Sequence, residues 1–325
     1  MKIKGFARQF EGGGYYRIRL PLDELSRHGH DTSYEDARSD LTADGADIVV
    51  GQLIGGHNYP AIIHRWWREL YRHSKLVYEL DDDPFEIECH NPAVLAYGSS
   101  AAQDSIAHCI QMAALVTAST EPLAEQMRRY NPNVVVLKNR IDEHMLSIER
   151  PRRDRLTIGW AGGASHYEDI KVCAYGLRKT LDRHRDIEAH FVGANFTDLI
   201  RKPVRHTPWC QTTTEYYKLI DFDIGIAPLA PSVFARSKSH IKALEYAALG
   251  IPVIASDVEP YRDFVIDGVT GWLVRRDHEW ALRMRELICD EAMRLEMGAK
   301  ARELASEWTI QKGWGEWQSA YQSVL

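Results

Sequence analysis

The chain has 325 residues, too long for one ordinary domain and suited to two halves of about 150 residues each. Hydrophobic residues make up 45% and charged residues 26%, so both halves can bury a core. The net charge of −6 arises entirely in the first half, where residues 1–150 hold 16 Lys and Arg against 22 Asp and Glu while residues 151–325 hold 24 of each. An acidic first half disfavours a polyanion such as nucleic acid as a general partner.

In chain order, Lys2–Phe6 reads as a short strand leading into the glycine run Gly12–Gly14. Tyr15–His28 reads as a helix interrupted early by Pro21. Asp47–Leu53 is a buried strand, Pro60–His73 a helix, and Lys75–Leu80 a strand ending in Asp81–Asp83. Leu115–Ser119 and Val134–Leu137 are two more strands. Short apolar runs separated by helical stretches are what a parallel sheet covered on both faces produces. A polar segment, Lys138–Arg155, then marks a domain boundary near residue 150.

The second series has strands at Leu156–Trp160, Ala189–Val192, Ile224–Ala227 and Val253–Ala255. Its helices fall at Glu168–Arg183, Thr214–Ile220, His240–Leu249 and His278–Ala305. Two βα series in tandem predict an α/β protein of two Rossmann-like, doubly wound domains, 1–150 and 151–307. The tail 308–325 carries Trp314, Trp317 and Tyr321 at helical spacing, an apolar stripe expected to pack back on the first domain. No apolar run of about 18 residues is present to span a membrane. The lysine-bearing start lacks the apolar core of a signal peptide. Five scattered cysteines show no metal-binding spacing. A cytoplasmic protein with reduced thiols and no resident cofactor or metal is expected.

The most informative stretch runs from Ser237 to Ser256, a loop, a helix and a buried strand. Ser237 or Ser239 can cap the helix, with Lys238 and Lys242 near its first turn. A helix N-terminus already favours anions, and lysines there suit a bound diphosphate. Glu245, further along, offers a carboxylate that can accept two hydroxyl hydrogen bonds, as a ribose requires. Glu245-Tyr-Ala-Ala-Leu-Gly250-Ile-Pro252-Val253 resembles the donor-binding segment of retaining GT-B glycosyltransferases of the family-4 type, in the polysaccharide and O-antigen branch. The family pattern places an earlier Glu where this chain has Ser237. Asp257–Tyr261, Asp267–Val274 and the Ala301–Trp308 region resemble the elements that follow, and Leu137–Asp142 resembles the interdomain hinge.

The resemblance implies a GT-B fold with its last helix crossing back to the first domain. It also implies transfer of a sugar from a nucleotide-diphosphate sugar to an acceptor hydroxyl, with retention and without an essential metal. Glu245 then holds the donor ribose, while Ser239, Lys238 and Lys242 stabilise the leaving diphosphate. Gly162, Gly163, Ser165 and His166 occupy the loop that reaches the donor phosphates, and a βα turn capped by Ser165 is the plain alternative. Gly13 and Gly14 stand in a cleft-facing loop, with Arg17 within reach of a phosphate. Asp81 and Asp82 are assigned to sugar hydroxyls or the acceptor proton. The rivals are a metal-diphosphate motif of the GT-A fold and simple turn capping.

Gln52 and His57 are secondary cleft candidates. Trp209 either stacks near a nucleotide base or, as the preferred reading, fills the core. His64–Lys75 is basic with interleaved aromatics and is read as a helix burying Ile63, Trp67 and Leu70 rather than as a membrane or nucleic-acid surface. Rival functions are a nucleotide-sugar epimerase or hydrolase of the same fold, and a non-catalytic nucleotide-sugar binder. The acceptor is left open among a glycan, a lipid-linked glycan, a protein and a modified nucleic acid.

Overall fold

The computed structural model describes residues 1–37, 42–56, 70–151 and 153–325. These residues form two compact units, one of Met1–Arg140 with Arg236–Ser239 and Ile310–Leu325, the other of Ile141–Ala235 with His240–Thr309.

The first unit holds β1 (Lys2–Ala7), β2 (Asp31–Asp36), β3 (Ile48–Gln52), β4 (Lys75–Leu80), β5 (Leu115–Ala118) and β6 (Val134–Val136). All pair in parallel in the order β2-β1-β3-β4-β5-β6. Leu76–Leu80 and Leu115–Ala118 are wholly buried, as central strands covered on both faces must be. Val49, Tyr78 and Val116 pack with Ile106, Cys109 and Ile110 of the Ser100–Met112 helix. The interruption expected at Pro21 takes the form of a π-turn, Tyr15–Arg19, ahead of the Leu20–Arg27 helix. Proline excludes the regular carbonyl position before it, and the wider turn takes the Leu20 amide to the Tyr15 carbonyl instead. The Ile310–Gln322 helix packs on Leu20–Arg27, burying Trp317 and Tyr321, while Trp314 stacks on His28 at 3.6 Å between ring centres. His57, Ile63, Trp67 and most of the helix expected at 60–73 lie outside the described residues. Leu70 is buried.

The second unit holds β7 (Thr157–Gly162), β8 (Glu188–Gly193), β9 (Arg205–Thr207), β10 (Ile224–Ala227), β11 (Val253–Ser256) and β12 (Gly271–Val274). They pair in parallel in the order β12-β11-β10-β7-β8-β9. Ile158, Trp160, Ile224 and Ile254 pack with Ile170, Cys173 and Leu177 of the Tyr167–Arg183 helix. The single helix expected at 278–305 is two, Asp277–Cys289 and Glu291–Ser306. Asp290 leaves the helical conformation and accepts the Met293 amide, capping the second helix where the first stops.

Strand order reverses between β1 and β3 in the first sheet and between β7 and β10 in the second. Loops after such strands are where open α/β sheets bind ligands. The opposite edge of the second sheet is closed by charge. Asp221 accepts from His190 Nδ1 at 2.6 Å, Arg153 Nε at 2.6 Å and Arg205 Nη2 at 2.8 Å. Among the described residues no helix is long and apolar enough to cross a membrane, and the five cysteines form no disulfide.

Candidate active site

In the first unit, the loops after β1, β3 and β4 surround a cavity of about 450 Å³ at the strand-order reversal. Arg8, Gln9, Gly13, Gly14, Gln52, Leu53, Asp81 and Tyr97 line it. Gly13 lets the backbone come against Asp81, since a Cβ there would strike the carboxylate. Burial first, and then the neighbouring Asp82 charge, push the Asp81 carboxyl up to about 7, with Arg17 and Lys238 opposing. Asp82 faces Lys238, at 3.6 Å. Asp83 stands apart from the pair. Its carboxylate accepts the Phe85 amide at 2.9 Å, the turn-capping role, and the side chain is buried.

Arg17 does not fit the reading as a phosphate ligand. It is fully buried, with Nε donating to Glu79 at 2.6 Å and Nη1 donating to Asn139 Oδ1 at 2.9 Å and to the Leu137 carbonyl. Glu79 also accepts from the Thr117 hydroxyl. A buried ion pair of this kind fixes β4, β5 and the chain after β6, and has no guanidinium face left toward the cavity.

The segment Arg236–Ser239 belongs to this first unit. The Ser237 carbonyl accepts from the Thr120 hydroxyl at 2.9 Å, and the Ser239 hydroxyl accepts from Asn139 Nδ2 at 2.8 Å. Neither serine caps the following helix, contrary to expectation. The helix is Ile241–Ala248, with His240 at its N-cap and no side chain closing it. Lys238 therefore precedes the helix, and Lys242 is its second residue.

In the second unit, Gly162 ends β7 and is followed by Gly163 and a 3₁₀ turn, Ala164–His166. The Tyr167–Arg183 helix starts without a side-chain cap, so Ser165 does not play the capping part. His166 Nδ1 lies 2.6 Å from Asp169 Oδ2, and Asp169 Oδ1 accepts the Ala230 amide at 2.7 Å. Asp169 thereby ties the loop after β7 to the loop after β10, across the strand-order reversal. Lys242 Nζ donates to the Ala161 carbonyl at 2.5 Å and lies 5.3 Å from the Trp160 ring centre, beside Gly162. The fold thus brings Gly162 and Lys242 together. One turn along the helix, Glu245 is buried and its Oε2 accepts from the Tyr216 hydroxyl at 3.0 Å.

Sequence reasoning missed Arg8, Gln9 and Tyr97 as cavity residues, and Asp169 and Tyr216 as partners of His166 and Glu245. Trp209 is not in the core, being 49% exposed. Among the described residues no group of three or more His, Cys, Asp or Glu is arranged to hold a metal ion.

Residues 155–290 match the family described as glycosyl transferases group 1. No curated protein matches the sequence. Among solved structures, HepE of Anabaena, in complex with UDP, is 14% identical, with both chains covered over 100% of their length and a TM-score of 0.70. Sucrose-phosphate synthase of Thermosynechococcus elongatus is 12% identical over 100% of this chain and 99% of its own, with a TM-score of 0.73. TarM of S. aureus is 14% identical over 84% of this chain and 55% of its own, with a TM-score of 0.62. At these identities the likeness establishes the fold, which is GT-B.

Proposed function

We propose that this chain is a glycosyltransferase that moves a sugar from a nucleotide-diphosphate sugar to an acceptor hydroxyl with retention of configuration. The observation that carries the donor half of the reading is the convergence of Gly162, Lys242 and Glu245 at the carboxyl edge of the second sheet. The uncapped start of the Ile241–Ala248 helix and the glycine loop offer amide groups to the diphosphate. Lys242 lies beside them, and Glu245 takes the ribose hydroxyls with its orientation set by Tyr216. HepE has been solved in complex with UDP-glucose, which makes a UDP-sugar the first donor to try.

Asp81 and Asp82 accept hydrogen bonds from sugar hydroxyls, while Lys238 offsets their charge. Arg17 acts only by positioning, through Glu79 and Asn139. The first-unit cavity takes the acceptor. Its side-chain amides, phenol and carboxylate suit a hydroxyl-rich molecule better than an acyl chain or a phosphate, which would face Asp81. In the reaction the acceptor oxygen bonds to the anomeric carbon as the bond to the diphosphate oxygen breaks. The acceptor proton passes to the departing phosphate on the same face. Helix N-terminus and lysine stabilise the charge that develops there, with no metal required.

The test is a thermal-shift comparison across UDP-, GDP-, TDP- and ADP-sugars, since a ligand at about 100 times its Kd stabilises by about 2.7 kcal/mol. One donor class is expected to raise the melting temperature, and Glu245→Ala to abolish the rise. A donor shift that survives Glu245→Ala would place the nucleotide elsewhere. With an α-linked donor, an α-linked product seen by NMR is expected, and a β-linked one would refute retention.

A further inference from the structure

Trp160, Trp280 and Trp317 are each buried to 1% or less, whereas Trp209 leaves 49% of its surface in water. Exposing that much indole forgoes a large burial gain. Yet the ring is held on several sides. Trp209 lies two residues after β9 and precedes the Thr213–Leu219 helix, which Thr212 and Glu215 close with reciprocal capping bonds. The Tyr216 ring lies 4.9 Å from it, tilted by 31°. Gly193, at φ +97°, comes so close that a Cβ there would strike both the indole and the Gly162 carbonyl. Trp209 is thus fixed at the carboxyl edge of the sheet, between the glycine loop and the tyrosine that holds Glu245.

We propose that Trp209 is the stacking platform for the donor's nucleobase. The inference rests on the donor reading above and adds the third part of the nucleotide to it. Diphosphate at Gly162 and ribose at Glu245 leave the base beside the Tyr216 ring, where the open indole surface stands. An aromatic face recognises any base by its π-surface, so this contact supplies affinity for nucleotides and little choice among them. Choice of base then falls to edge contacts made elsewhere.

Isothermal titration of the full chain with UDP, GDP and inorganic pyrophosphate tests the assignment. Trp209→Ala should weaken whichever nucleotides bind by about tenfold to a hundredfold and leave pyrophosphate unchanged. Trp209→Phe should restore most of the loss. In the unaltered protein, transferred NOEs should connect base protons of the bound nucleotide to indole protons, a readout independent of any variant's folding. Unchanged nucleotide affinity in Trp209→Ala, with affinity lost in Glu245→Ala, would overturn the platform and leave the donor reading standing. Affinity unchanged in both variants would overturn the two together. Equal losses for nucleotide and pyrophosphate, or no base-to-indole NOE, would also reject the platform.

Discussion

Asp81 and Asp221 are the same residue type at opposite edges of two similar parallel sheets, and their surroundings drive them apart. Asp81 follows β4, at the carboxyl edge of the first sheet. Burial and the adjacent Asp82 push it up to about 7. Asp221 precedes β10, at the amino edge of the second sheet. Burial works to raise it as well, but bonds from His190 and Arg205 overrule burial and hold it down at about 2. A carboxylate left in want of partners, beside a cavity, is poised for a ligand. One whose oxygens are all engaged is a clamp that holds strands together. In this chain local charge balance, more than residue type, separates a candidate site from scaffold.

The largest expected effect breaks the clamp. Asp221→Ala strips His190, Arg205 and Arg153 of their shared counter-charge in a place where Asp221 and His190 are 1% exposed. Removing one partner of a buried pair destabilises by about 3–5 kcal/mol, to be read from the midpoint of chemical denaturation. A change below about 1 kcal/mol would show the cluster to be solvated rather than clamped. The pH dependence has a definite sign. The folded value, about 2, lies below the ordinary 3.8, so the stability this group confers is present above pH 3.8. It is lost as pH falls from there toward 2, a loss of about 2 kcal/mol.

Next comes the carboxylate at the cavity. Asp81→Ala should lower kcat by about a hundredfold to a thousandfold while the thermal shift with donor nucleotide persists, because the nucleotide is assigned to residues of the second unit. Loss of nucleotide binding together with turnover would instead make Asp81 part of the donor's diphosphate grip. Asp83→Ala provides the contrast. Its carboxylate is committed to the Phe85 amide, so the change should lower stability by about 1 kcal/mol and leave kcat within about twofold.

The same contrast explains what was legible in the sequence. Central strands such as Leu76–Leu80 and Ile224–Ala227 stand out because burial on both faces demands unbroken apolar runs. The edge strands Asp31–Asp36 and Arg205–Thr207 do not, because an edge strand can be polar and half exposed. The break at Asp290 hides inside an amphipathic pattern that runs through it. In the site, Gly162, Lys242 and Glu245 belong to local motifs, and their convergence follows from motif and fold together. Arg17 looked like a ligand because its partners Glu79, Leu137 and Asn139 lie 62, 120 and 122 residues away, and nothing nearby announces them. The cavity residues Arg8 and Tyr97 come from separate loops and were missed for the same reason, whereas Gln52 ends a legible strand and was named. Trp209 was read as core because tryptophan usually is, and only its packing against Gly193 and Tyr216 shows the ring held at the surface.

The smallest effect is the most discriminating, because it separates charge from shape at Asp81. A folded value of about 7 against an ordinary 3.8 means that this carboxyl's contribution to stability is complete below pH 3.8 and is lost as pH rises through 7. Asp81→Asn removes the charge and keeps the shape. It should leave the melting temperature near pH 3.5 unchanged and raise it at pH 8 by at least about 2–4 °C, the equivalent of about 1 kcal/mol. Turnover should respond in the opposite sense. The unaltered enzyme gains activity as pH rises through about 7 and the ionised carboxylate becomes the better acceptor for a sugar hydroxyl, whereas the Asn variant stays low and flat. Equal melting temperatures for the two proteins at pH 8 would mean that Asp81 is solvated, and that the asymmetry between the two aspartates does not mark the site.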